Sequence, residues 1–163
     1  MAEEVTIGSE GPEPNGGQPP ITVNAQYIKD FSFEAPKAPL IFTAMQKEEP
    51  DVNINVNVNY SELKDAVYTD ANIYEVILGI EATCTVGDET AFLMELEYAG
   101  LFTINVDSES KRAVLLIECP RLLFPFARNI LADISREGGF PPLMLGPLDF
   151  AGMYQQHVSP ATS

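Results

Sequence analysis

The chain has 163 residues, 45% of them hydrophobic and 20% charged, and its 24 Asp and Glu against 9 Lys and Arg give a formal net charge of -15. That length fits one domain with a real core, and so acidic a surface repels nucleic acid and anionic membranes while attracting basic segments and metal ions. No run approaches the roughly 20 apolar residues that span a bilayer, and the N-terminus lacks the basic and apolar regions of a signal peptide, so a soluble, cytoplasmic protein is expected.

Residues 1–20 are rich in Gly, Pro and Glu and are expected to form a disordered tail. Residues 21–157 are expected to form a single domain, and 158–163 a flexible C-terminal tail. A first strand is predicted at Tyr27 to Glu34, with Tyr27, Lys29, Phe31 and Phe33 on one face and Ile28, Asp30, Ser32 and Glu34 on the other. Pro36 and Pro39 then enforce a crossing loop that leads into Leu40, Ile41 and Phe42. The strict alternation from Val52 to Tyr60, apolar then Asn, predicts a second strand with one wet face. Asn59-Tyr60-Ser61 within it matches a glycosylation sequon, which in a strand of a cytoplasmic protein reads as chance.

A third strand runs from Tyr74 to Thr85, and Gly87 permits the tight turn into a fourth. The fourth strand, from Thr90, is apolar through Phe92, Met94, Leu96 and Tyr98 and acidic opposite, through Leu93, Glu95 and Glu97. Ser108 to Cys119 has no clear period. From Leu122 to Ile134 the apolar residues recur at helical spacing, with Gly138-Gly139 as the stop; Pro125 must lie in the first turn or kink the helix. A Pro- and Leu-rich loop, Phe140 to Leu148, precedes a short helix N-capped by Asp149. Four strands ahead of the helices argue for an α+β fold: a four-stranded antiparallel sheet with two C-terminal helices packed on one face.

Catalytic constellations are missing from the pattern. His157 stands alone beside the C-terminal tail, the carboxylates at Asp65, Asp70, Glu75, Asp88 and Glu89 lack calcium-loop spacing, and no glycine-rich loop carries a lysine. Cys84 and Cys119 have no metal-ligand spacing and read as reduced, buried thiols. No enzyme activity, cofactor or metal is therefore expected. Outward charge on a strand commonly serves solvation and edge protection, but apolar loops at Leu40 to Phe42 and Phe140 to Leu148 are unusual and point to grooves or subunit contacts.

Three blocks resemble the SecB family of bacterial export chaperones: Lys29-Asp30-Phe31-Ser32-Phe33-Glu34-Ala35-Pro36-Lys37-Ala38-Pro39, Gly87-Asp88-Glu89-Thr90-Ala91-Phe92-Leu93, and Cys119-Pro120-Arg121-Leu122-Leu123-Phe124-Pro125-Phe126-Ala127-Arg128 running on to Gly139-Phe140-Pro141. The resemblance covers about residues 22–156 in the same order. It implies a homotetramer, a dimer of dimers, that holds preproteins unfolded and delivers them to the SecA ATPase without inserting into the membrane. It assigns SecA contact to Asp30, Glu34, Leu93 and Glu95, which all carry the family's residue. It assigns influence on assembly to Met94, Leu96 and Tyr98, which depart from the best-known Cys, Val and Gln. SecA carries a basic, zinc-binding C-terminal tail, so any zinc belongs to that partner. Client-groove candidates by region are Leu40, Ile41, Phe42, Val52, Ile54, Val56, Phe140, Leu143 and Leu145. A competing expectation is a small-ligand-binding or isomerase-like α+β domain, with an apolar cavity and a buried carboxylate between sheet and helix.

Overall fold

A computed structural model describes residues 18–64, 67 and 72–158. Four antiparallel strands, β1 (Ile21–Glu34), β2 (Asp51–Glu62), β3 (Ile73–Val86) and β4 (Glu89–Ile104), form one sheet in the order β1-β4-β3-β2. The alternation in the sequence dictates the two faces. Tyr74, Val76, Leu78, Ile80, Ala82 and Cys84 of β3 and Phe92, Met94, Leu96, Tyr98 and Phe102 of β4 are buried on the rear face. Ile54, Val56 and Val58 of β2 pack against the same core, and the intervening asparagines stay exposed. Val86 pairs with Glu89 across the turn between β3 and β4, where Gly87 takes a φ of 60° that its missing Cβ allows.

β1 breaks its own alternation. Ile28 pairs with Tyr98 and Asp30 with Glu97, which leaves Lys29 as the extra residue of a β-bulge. Phe31 and Phe33 face the core, but Tyr27 and Lys29, expected on their side, reach the front face instead and bond Glu75 there. The faces of Asp30, Ser32 and Glu34 are as expected, but Ile28, expected beside them, lies on the rear face opposite Tyr98. The sequence carries no local signal for the bulge, because it is a product of pairing with β4.

The chain crosses from β1 through a cis Ala38–Pro39 bond into a short helix, α1 (Leu40–Ala44), where only a loop was expected. Ser108 to Glu137 is nearly continuous helix: α2 (Ser108–Ala113), a wide π-type turn (Val114–Glu118) and α3 (Cys119–Glu137). Asp107 caps α2 by accepting from the Ser110 N–H at 2.8 Å. In the wide turn the Cys119 N–H donates to the Val114 carbonyl, and the next residue, Pro120, has no N–H to offer. This extra residue shifts the helical phase, which is why the segment shows no clean period. Pro125 lies inside α3, past the first turn, and removes one further rung. Gly138 and the positive φ of Gly139 end α3, and α4 (Phe150–Val158) follows, capped at 3.0 Å by Asp149.

The two expected C-terminal helices are α3 and α4. Leu123, Ala127 and Leu131 of α3 are fully buried, and Phe150 of α4 packs edge-on against Phe124. No helix among the described residues is long and apolar enough to cross a membrane. The expected tails lie outside the described residues except at their inner ends. Gln18 to Pro20 are held by Asn105, whose backbone N–H donates to the Pro20 carbonyl at 2.8 Å, and Val158 closes α4.

Candidate functional site

The front of the sheet gathers the charge. β1 supplies Asp30 and Glu34, β3 supplies Glu81, and β4 supplies Glu95 and Glu97, all exposed. Register sets Asp30 opposite Glu97 and Glu81 opposite Glu95, so like charges face each other across two strand pairs. Such pairs destabilise a sheet, and none of these carboxylates forms an ion pair among the described residues. A shallow depression of about 80 Å³ lies over Gly79 between Asp30, Asn57, Glu81, Glu95 and Glu97. Leu93, 38% exposed and opposite Glu34, adds an apolar contact point at the edge of the acidic field. The strands thus bring Asp30, Glu34, Leu93 and Glu95 onto one surface. Glu81 and Glu97 belong to it as well; the period-two pattern put them on this face, but nothing in sequence alone set them among the site residues.

The opposite half of the same face is neutralised. Lys29 Nζ lies 2.6 Å from Glu75 Oε1, and the Tyr27 hydroxyl donates to Glu75 Oε2. Burial pushes the Glu75 carboxyl up, but the hydrogen bonds from Lys29 and Tyr27, with the Lys29 charge, outweigh it and hold the group below the ordinary glutamate value.

At one end of the sheet the apolar loops close over an aromatic cluster. Phe140 lies 4.9 Å from Phe92, 5.1 Å from Phe42 and 6.3 Å from Phe33, ring centre to ring centre. Of the groove candidates, Ile41 is wholly buried and Phe140 is 4% exposed, so both are core and offer no surface in this conformation. Phe42, Ile54, Val56, Leu143 and Leu145 are half-buried against that core, while Leu40 and Val52 are exposed. The loop is pinned by Ser135, the one buried polar side chain among the described residues. Its hydroxyl donates to the Leu131 carbonyl at 2.8 Å and accepts from the Leu143 N–H at 2.8 Å. Ser135→Ala is expected to cost about 1–3 kcal/mol by stranding that N–H, and to speed hydrogen exchange at the Leu143 amide.

Met94, Leu96 and Tyr98 lie beneath α3, buried within the single chain. Tyr98 stacks on Phe126 at 6.3 Å and donates its hydroxyl to Gln26 at 3.2 Å. Phe126 is itself half-exposed, beside a depression of about 350 Å³ that it lines with Pro125, Arg128, Asn129, Ala132 and Met144. Cys84 and Cys119 are free and buried, and burial, with the Glu118 charge adding, pushes the Cys119 thiol up to about 12, far from a reactive thiolate.

The family model described as "Preprotein translocase subunit SecB" matches residues 14–161. The protein-export protein SecB of Paramagnetospirillum magneticum is 48% identical, covering 90% of this chain and 90% of its own. That of Acidiphilium cryptum is 49% identical over 83% of this chain and 87% of its own. Among solved structures, the SecB-like chaperone of Mycobacterium tuberculosis, in complex with a peptide from an antitoxin, superposes with a TM-score of 0.64 at 14% identity, over 79% of this chain and 91% of that one. Sheet, helices and sequence agree, and the chain belongs to the SecB family of protein-export chaperones.

Proposed function

We propose that the chain works in the cytoplasm, without catalytic chemistry, as a homotetrameric holder of unfolded preproteins that docks on SecA through the front of its sheet. The supporting observation is the unpaired acidic face around Leu93. Uncompensated carboxylates set opposite one another cost the free chain stability, and a basic partner such as the tail of SecA relieves that cost. Asp30, Glu34, Leu93 and Glu95 are its contact residues, and zinc, where present, is the partner's.

The client side is the half-buried rim of Phe42, Ile54, Val56, Leu143 and Leu145, with Leu40 and Val52 exposed beside it. Broad apolar contact of this kind takes many sequences, because it sets no shaped pocket. Ile41 and Phe140 form its floor. Met94, Leu96 and Tyr98 act on assembly from beneath, by setting how α3 sits and how its exposed Leu122 and Phe126 are presented to another subunit.

Molar mass in solution and mixing with a reduced, unfolded protein test this reading together. A tetramer that retains the unfolded chain is expected. A monomer that ignores it would sink the proposal in favour of a small-ligand binder, although the buried carboxylate such a binder calls for does not occur among the described residues.

A further inference from the structure

We propose that Glu75 keeps the docking face acidic by holding Lys29 off it. This rests on the reading of that face as the SecA contact. The bulge places a cation, Lys29, directly before Asp30 and at the margin of the row formed by Asp30, Glu97 and Gly79. A lysine side chain there has carboxylates within reach on both sides, and its choice decides how much charge the face presents.

The structure shows the choice. Lys29 Nζ lies on Glu75 at 2.6 Å and forms no ion pair with Asp30 or Glu97. Glu75 stands four residues along β3 from Gly79, about 13 Å up the strand, so the ammonium leans away from the acidic row. Glu75 competes well for it: its side chain is 14% exposed, with Tyr27 donating to the second carboxylate oxygen, whereas Asp30 and Glu97 are open to water. Bonded on both oxygens, Glu75 is fixed in place, and Lys29 bound to it leaves Asp30, Glu34, Glu81, Glu95 and Glu97 without a counter-ion among the described residues. Glu75 is therefore a positioning residue that acts through Lys29 and touches no partner.

A mutant cycle at physiological salt separates this from simpler accounts, because charges farther apart than about 8 Å are largely screened there. Glu75→Gln frees Lys29 to pair with Asp30 or Glu97 and is expected to weaken binding of full-length SecA roughly 2- to 5-fold, the range of one exposed pair. Lys29→Gln alone should leave SecA affinity unchanged, and the double variant should bind like the unmodified protein. A Lys29→Gln gain equal to the Glu75→Gln loss would mean that only net charge matters and would overturn the proposal. So would a double variant as weak as Glu75→Gln, which marks Glu75 as structural, and so would no effect of Glu75→Gln.

Glu95→Lys runs alongside. Should it leave SecA binding intact, the docking reading fails first and takes this inference with it. Should it weaken binding while the cycle is flat, only the role of Glu75 falls. Molar mass and thermal midpoint establish that each variant folds. If Glu75→Gln does not, Glu75→Asp keeps the charge but shortens the reach, and the same direction of change is expected; no weakening there overturns the proposal.

Discussion

Replacing Glu95 by lysine is expected to weaken docking on SecA by on the order of tenfold and to leave retention of unfolded client unchanged. The size follows from register. Glu95 has Glu81 directly across on one neighbour and Ser32 on the other. The introduced ammonium therefore removes a negative charge, adds a positive one and captures Glu81 as its partner. Steered association depends on the summed field, so the loss should fall mainly on the association rate and shrink as salt is raised, with the variant showing the shallower salt dependence. Titration of SecA at two ionic strengths, beside gel filtration with a reduced, unfolded protein, measures both arms. The aromatic cluster and the rim at Phe42 and Leu143 belong to the rear side of the sheet, so equal loss of client and SecA binding would mean that the two surfaces are not separate.

Phe102→Ala is the largest stability change expected, about 3–5 kcal/mol, a large share of a domain's net stability. Phe102 is wholly buried beneath α3, and the place where a side chain at Gly100 would stand is filled by its ring and by Leu123. A Cβ on Gly100 would meet Phe102 Cε2 at 2.5 Å and Leu123 Cδ2 at 2.9 Å. Glycine at 100 is thus a packing requirement, and Gly100→Ala should cost about 1–3 kcal/mol by overpacking. The two substitutions must couple. With the ring gone, the added methyl enters the cavity, and its cost falls or changes sign. Chemical denaturation of the two single variants and the double variant measures that coupling, and strict additivity would show that the ring and the glycine are not the contact described.

Much of this molecule was legible in its residues, for physical reasons that differ by region. The faces of β2, β3 and β4 follow from period-two alternation because each strand is pleated and half-buried. The apolar stripe of α3 follows from its 3.6-residue period. Gly87 announced its turn. What escaped reading depends on partners distant in sequence. The bulge at Lys29 comes from pairing with β4, so a local alternation rule carried Tyr27 and Lys29 to the wrong face. The wide turn at Val114–Glu118 hid a helix by shifting its phase. In the loops, apolar residues looked alike in sequence, yet Ile41 and Phe140 are core while Leu40 and Met144 are exposed. Phe140 owes its place to meeting Phe33, Phe42 and Phe92, a tertiary fact. The acidic surface was half visible: strand parity put Glu81, Glu95 and Glu97 on one face, the resemblance implied which residues make contact, and only the register showed Asp30 set against Glu97 and Glu81 against Glu95.

The strand order β1-β4-β3-β2 also sets a timetable for the chain's own maturation. β2, β3 and β4 are consecutive neighbours and can zip as hairpins, but β1 waits for a strand distant in sequence, with Ile21 set against Ile104 and a contact across 79 residues between Asn24 and Thr103. Distant pairings of this kind form late, after local ones have met their loop-closure cost. Until β1 arrives, Asp30 and Glu34 are absent from the face and the outer edge of β4 stands open. A member of a chaperone family thus itself passes through a state with an open strand edge, and its acidic face becomes complete only in the last step of leaving it.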